Sequence, residues 1–217
     1  TAFTTFVGTL GISPESDAIV YDDKNGANAA GRFWWMMRAL GHKNIKVVDG
    51  GLDAIIRDGL PMVPGDEKPT STKPYPAEAW TMPTVEIDAV QVAVKSPDAL
   101  VIDVREGYRY RGEREPIDLI AGHIPGAINI PYLENLAEDG TFRPAKALAK
   151  IYNKALDFRE PSQVIVHCGS GVTACHTLLA LEQAGIKGAS LYVGSWSEWS
   201  RRDLPVATGV SDQVSGK

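Results

Sequence analysis

The chain has 217 residues, 44% of them hydrophobic, and a formal net charge of −5, which is enough apolar matter for one or two cored domains. The acidic balance argues against nucleic acid or an acidic membrane surface as a partner, and no apolar run approaches the ~20 residues of a membrane span. Two cysteines make no disulfide framework, and four scattered histidines without a Cys-x-x-Cys pair make no metal site, so a reducing compartment, the cytoplasm, is the default and no metal is expected.

Phe3 to Leu10 reads as an amphipathic helix, Ala18 to Tyr21 as a strand running into Asp22, and Ala29 to about Leu40 as a helix closed by Gly41. Phe33, Trp34, Trp35, Met36 and Met37 on that helix read as core packing. Ile45 to Val48 gives another strand, and Gly50-Gly51 turns into a short helix ending near Gly59-Leu60-Pro61. From Val63 to Ala79, prolines, a glycine and alternating charges predict an extended, semi-rigid connection. Thr84 to Val94 holds a strand-like start and a short helix. Ala99 to Arg105 reads as a central strand ending in an acid and a base, Glu106 to Glu115 as a charged loop, and Gly122 to Ile130 as a turn leading into a strand.

The stretch Val164-Ile165-Val166-His167-Cys168-Gly169-Ser170-Gly171-Val172-Thr173-Ala174-Cys175 organises the rest. Its β-branched start predicts a buried parallel strand, and a helix is expected from about Thr173 to Ala184. Gly169 and Gly171 allow a tight curl in which the N–H groups of Gly169, Ser170, Gly171, Val172, Thr173 and Ala174 converge with the helix dipole into an anion cradle. A lone cysteine at a strand end is most often a small buried hydrophobe. Here the cradle behind Cys168 favours the thiolate and makes it the candidate nucleophile. His167, one residue earlier, points to the opposite side of the strand. It reads as a packed histidine rather than a base, His123 as structural, and Cys175 as buried in the helix start. Trp196 and Trp199 fit either a pocket wall or the core.

The chain also repeats itself. Gly41, Gly50, Arg57 and Leu60-Pro61 recur at one constant spacing as Gly185, Gly194, Arg201 and Leu204-Pro205, and Ala18 to Asp22 matches Val164 to Cys168 with a first-copy loop two residues longer. This is a duplicated β-loop-α-β-α unit. Asp22 stands where Cys168 stands, so the first copy is expected to be catalytically silent.

Cys168-Gly-Ser-Gly-Val-Thr-Ala174, together with Asp103-x-Arg105 and Gly122-His-Ile-Pro-Gly-Ala127, resembles the rhodanese-like sulfurtransferases, particularly those that use 3-mercaptopyruvate. Phosphatases with a cradled cysteine need an arginine six residues on, where Ala174 stands. The resemblance implies an α/β fold of two rhodanese-like domains, each a parallel sheet flanked by helices, with ligands at the carboxyl ends of the strands facing the cleft between domains. The first would lack its N-terminal half, since nothing before Ala18 matches Val101 to Ile130, and the chain is expected to be a fragment. The boundaries follow as 1–64, a linker at 65–81, the catalytic domain at 82–210 and a tail at 211–217.

The implied chemistry is sulfane-sulfur transfer through a Cys168 persulfide, from a small-molecule donor (3-mercaptopyruvate, or alternatively thiosulfate) to cyanide, a thiol or thioredoxin, and it needs no metal or organic cofactor. Arg109, Ser170 and Thr173 are the implied substrate-binding residues. Arg109 matches the family's first carboxylate-binding arginine among Arg105, Arg109, Arg111 and Arg114; where the second would stand, this chain has Asp118. The family partners of Ser170, a His and an Asp, would lie in the unmatched stretch. A non-catalytic rhodanese-like binding or sulfur-carrier module is the remaining alternative.

Overall fold

A computed structural model describes residues 2–77 and 79–210, so the expected 211–217 tail lies outside the described residues. The chain divides between Met82 and Pro83 into two compact units.

The first unit runs α1 (Ala2–Thr9), β1 (Ala18–Val20), α2 (Ala29–Ala39), β2 (Ile45–Val47) and α3 (Gly51–Arg57), with β1 and β2 parallel and Val20 beside Val47. Trp34, Trp35 and Met37 of α2 are buried, as the apolar face of that helix predicts. Part of the expected linker belongs to this unit rather than standing free. Thr72 N–H donates to Gly8 O at 2.8 Å, Tyr75 N–H to Thr4 O at 2.9 Å and Thr81 N–H to Ala39 O at 2.8 Å. Tyr75 is buried with its hydroxyl 3.0 Å from His42 Nδ1, and Trp80 stacks on Trp35. Aromatic burial outweighs the extended bias of the prolines there; residues 62–72 are exposed throughout.

The second unit adds β3 (Thr84–Val85), α4 (Ile87–Ala93), β4 (Leu100–Asp103), α5 (Gly107–Tyr110), β5 (Ile128–Asn129), α6 (Ala145–Leu156), β6 (Val164–His167), α7 (Thr173–Gln183), β7 (Ser190–Tyr192) and α8 (Ser195–Trp199). The sheet order is β3-β7-β6-β4-β5 and every pairing is parallel. The central strands β4 and β6 are buried along their whole length, which is why both read as continuous apolar runs. Val101, Ile165 and Tyr192 pack on one face with Val90, Ala93, Trp196 and Trp199. Burying each such side chain contributes about 1.5–3 kcal/mol. Helix α6, which the linear reading passes over, buries Leu148, Tyr152 and Leu156, a helical i, i+4, i+8 stripe.

Candidate active site

Strand β6 ends at His167, and Cys168 follows it at the carboxyl edge of the sheet, 3% exposed. Between Cys168 and α7 the loop curls at Gly171, whose φ is +75°; a Cβ there would come 2.6 Å from Val193 O, so only glycine fits. Gly169 is different from what the sequence predicts. Its φ is not positive, and a Cβ would meet its nearest neighbours at an ordinary 3.5 Å, so the curl rests on Gly171 alone. Among the described residues, no carbonyl accepts from the N–H groups of Gly169, Ser170, Val172 and Thr173. Ser170 is exposed and Thr173 half-buried.

The loop is held from behind by the turn that opens α8. Cys168 N–H donates to Ser195 Oγ at 3.2 Å, and that hydroxyl donates to Tyr192 O at 2.9 Å. Trp196 N–H donates to Cys168 O at 3.0 Å and Ser197 N–H to Gly169 O at 2.7 Å. Ser195 is fully buried with a left-handed φ of +53°, a conformation costing a side-chain-bearing residue about 1–2 kcal/mol. Sequence reasoning missed it, although the repeat carried the signal: the matching residue of the first copy is Gly51, with φ +58°.

Arg109, on α5, lies beside the loop, its guanidinium 3.5 Å from where a Gly169 Cβ would be, but it is not a free cation. Its Nε donates to Glu115 at 3.0 and 3.1 Å, and its Nη2 to Asp118 Oδ2 at 3.1 Å. Asp118 also accepts from Ser197 Oγ at 2.5 Å, which ties the arginine to the turn behind the loop. Burial pushes the Glu115 carboxyl up, but the Arg109 hydrogen bonds and the N–H groups of Asp118 and Ile117 outweigh it and hold it below the usual carboxylate range. Among the described residues, Nη1 of Arg109 pairs only with Glu106, at 3.6 Å.

The stretch 106–115 is therefore no solvated loop. Arg105 is buried against Asp103 at 2.6 Å, Glu115 at 3.2 Å and Gly122 O at 2.7 Å, with its guanidinium 4.6 Å from the Trp196 ring centroid. Arg111 pairs with Glu113 and Arg114 is exposed. Trp196 and Trp199 are core residues, donating to Ile120 O and Pro205 O. His167 is fully buried on the Asp103 side of the sheet, 3.9 Å from that carboxylate, and burial pushes its imidazole below the ordinary value. His123 is packed against Tyr110, with Nδ1 2.8 Å from Tyr110 O. Cys175 Sγ bonds Gly171 O at 3.3 Å. Among the described residues, no group of three or more His, Cys, Asp or Glu is placed to hold a metal.

Asp22 shows what such a loop does with an anion. Its carboxylate accepts four backbone N–H bonds, from Lys24 at 2.9 Å, Gly26 at 2.8 Å, Asn28 at 3.1 Å and Ala30 at 3.0 Å. Burial raises its carboxyl, but the four amides win and hold it below the ordinary value of 3.8. As at Cys168, its carbonyl accepts the following turn, from Leu52 N–H at 2.9 Å.

A parallel sheet flanked by helices, with a cysteine loop at its carboxyl edge, defines a rhodanese-type α/β domain. Residues 86–202 match the rhodanese-like domain model, and the chain belongs to that family. It is 41% identical over 205 residues to a probable 3-mercaptopyruvate sulfurtransferase of Pseudomonas aeruginosa, covering 92% of this chain and 70% of that one. It is 36% identical to the thiosulfate sulfurtransferase of Rattus norvegicus, covering 99% and 73%. The solved 3-mercaptopyruvate sulfurtransferase of Leishmania major superposes with a TM-score of 0.74 at 30% identity, over 91% of this chain and 55% of that one. The chain thus spans about 70% of these curated relatives and little more than half of the solved one.

Proposed function

We propose that this protein is a sulfurtransferase that moves sulfane sulfur from 3-mercaptopyruvate to a thiophilic acceptor through a persulfide on Cys168. The observation that carries this reading is the Cys168 loop itself, a thiol at the end of the central strand followed by the N–H groups of Gly169, Ser170, Val172 and Thr173, from which no described carbonyl accepts. The names of the relatives support the reaction class.

In the first step the Cys168 thiolate attacks the donor's thiol sulfur. The new S–S bond takes the electron pair of the thiolate, the C–S bond breaks, and its electrons leave on the enolate of pyruvate. That enolate takes a proton, with Ser170 or Thr173 as the nearby hydroxyl relay. The anionic persulfide then rests on the N–H groups of Gly169 to Ala174. In the second step an acceptor (cyanide, a thiol or thioredoxin) attacks the outer sulfur and releases the thiolate. Arg109, through Nη1, is the donor-binding cation in this reading. The chemistry needs a free thiol, which fits a reducing compartment such as the cytoplasm.

The same proposal divides the chain into a silent copy at 1–64, a connecting segment at 65–81 whose later part packs back on that copy, and a catalytic domain at 82–210. It is supported by the order β1-α2-β2-α3, which parallels β6-α7-β7-α8, and by Asp22 at the nucleophile's place.

One observation counts against mercaptopyruvate and keeps thiosulfate as the second reading: Asp118 and Glu115 neutralise Arg109, the group a mercaptopyruvate carboxylate would need. Intact mass after brief exposure to each donor, with Cys168→Ser as control, decides. One added sulfur from mercaptopyruvate, absent in the variant, is the expected result. Loading from thiosulfate alone turns the assignment to rhodanese proper, and no loading from either leaves a non-catalytic module.

A further inference from the structure

We propose that Ser195 is the positioning residue of the Cys168 loop: its hydroxyl, held in a left-handed turn, fixes the backbone that aims the cradle N–H groups. The inference rests on the reading of Cys168 as the reactive thiol. The carbonyl and the following N–H of a trans peptide point in opposite directions. Trp196 N–H holds Cys168 O, so Gly169 N–H is turned away from the α8 turn; Ser197 N–H holds Gly169 O, so Ser170 N–H is turned away as well. Ser195 Oγ takes Cys168 N–H, while His167 O on the other side of that peptide accepts from Val104 N–H at 3.0 Å. Three consecutive peptides are thereby fixed, and the amides that follow Cys168 are left facing the space before α7.

The internal repeat separates the fold's requirement from the site's. Gly51 occupies the same place in the first unit with nearly the same φ, and Leu52 holds Asp22 O as Trp196 holds Cys168 O. Glycine therefore forms this turn, and forms it without a side-chain penalty. The second unit instead carries a serine in an unfavourable conformation, fully buried, whose hydroxyl bonds the nucleophile's own N–H and Tyr192 O. Strain retained against an available strain-free residue marks a functional constraint.

Ser195→Gly keeps the turn and removes the hydroxyl; Ser195→Ala removes the hydroxyl and keeps the strain. The readouts are thermal melting, the pH profile of iodoacetamide alkylation mapped to Cys168, and single-turnover sulfur loading. Ser195→Gly is expected to melt at or above the parent's temperature while its alkylation profile moves to higher pH. Loading should slow about tenfold with donor KM little changed. Ser195→Ala should show the same kinetic loss with a lower melting temperature. A Ser195→Gly protein with the parent's alkylation profile and loading rate overturns the proposal, as do rate losses that follow only the loss of melting temperature. If the parent takes sulfur from neither donor, the sulfurtransferase reading falls, while the alkylation profile still decides the role of Ser195.

Discussion

Asp118→Asn tests whether the acid beside Arg109 restrains donor binding. Asp118 is 2% exposed in its side chain, accepts Arg109 Nη2 at 3.1 Å and lies against the loop at Gly169. A donor anion on Arg109 Nη1 would sit roughly 5–6 Å from that carboxylate, and at an effective dielectric of about 20–40 the repulsion is about 1.5–3 kcal/mol. Asparagine keeps the shape, an oxygen for Arg109 and an NH2 that can donate to the reoriented Ser197 hydroxyl, and Glu115 still compensates the guanidinium, so the stability loss should stay within about 1–2 kcal/mol. The donor KM should therefore fall at least about tenfold, with kcat changed far less, because the substitution does not touch Cys168 or its amides. Initial rates of pyruvate release across mercaptopyruvate concentration read this directly, with thiosulfate loading as a second anionic donor. An unchanged or higher KM for both donors, in a variant that melts within a few degrees of the parent, refutes the electrostatic account of Asp118.

Asp22→Asn replaces a carboxylate bonded by four N–H groups with an amide whose NH2 faces donors, and should destabilise the first unit by about 1–3 kcal/mol at pH 7. Because the folded Asp22 titrates below its ordinary value of 3.8, its contribution is complete above that pH and is lost as pH falls through the lowered value. Urea unfolding of parent and variant should differ at pH 7, and the difference should shrink as the pH is lowered below 3.8; a difference independent of pH would count against the four-amide account. Arg105→Met strands the fully buried Asp103 carboxylate and should cost the second unit about 3–5 kcal/mol, readable by denaturant midpoint, whereas a loss below about 1 kcal/mol would show that Asp103 has other compensation.

The parallel strands and the helix after Cys168 were legible because buried apolar runs and glycine punctuation are local signals. Strand β6 and helix α7 lie within a residue of their expected ends. The residues that set the site's electrostatics were not. Arg109 could be matched by spacing, but nothing local tells that Glu115 and Asp118 fold back onto it, since a run of alternating charge has the same composition whether solvated or closed into a buried network. Asp118 is visible in the sequence as a departure; its contact with Arg109 is visible only in three dimensions. Ser195 lies between, hidden in a linear scan yet exposed by setting the two repeats against each other, where glycine faces serine.

That comparison also bears on how the cradle works. The first unit closes its loop on a carboxylate supplied by the chain, with all four amides satisfied internally. The second has Cys168 in that place, a loop two residues shorter, and no described carbonyl on the N–H groups of Gly169, Ser170, Val172 and Thr173. A buried N–H without a partner costs about 1–3 kcal/mol, so an open set is stable only where water or a ligand can reach it, as at the exposed Ser170. An anion formed on Cys168 during the reaction would meet donors already oriented by Ser195, Trp196 and Ser197, with little reorganisation needed when the charge appears. On this account, both loops recognise negative charge with backbone amides. They differ in whether that charge is a permanent part of the fold or arrives with the sulfur.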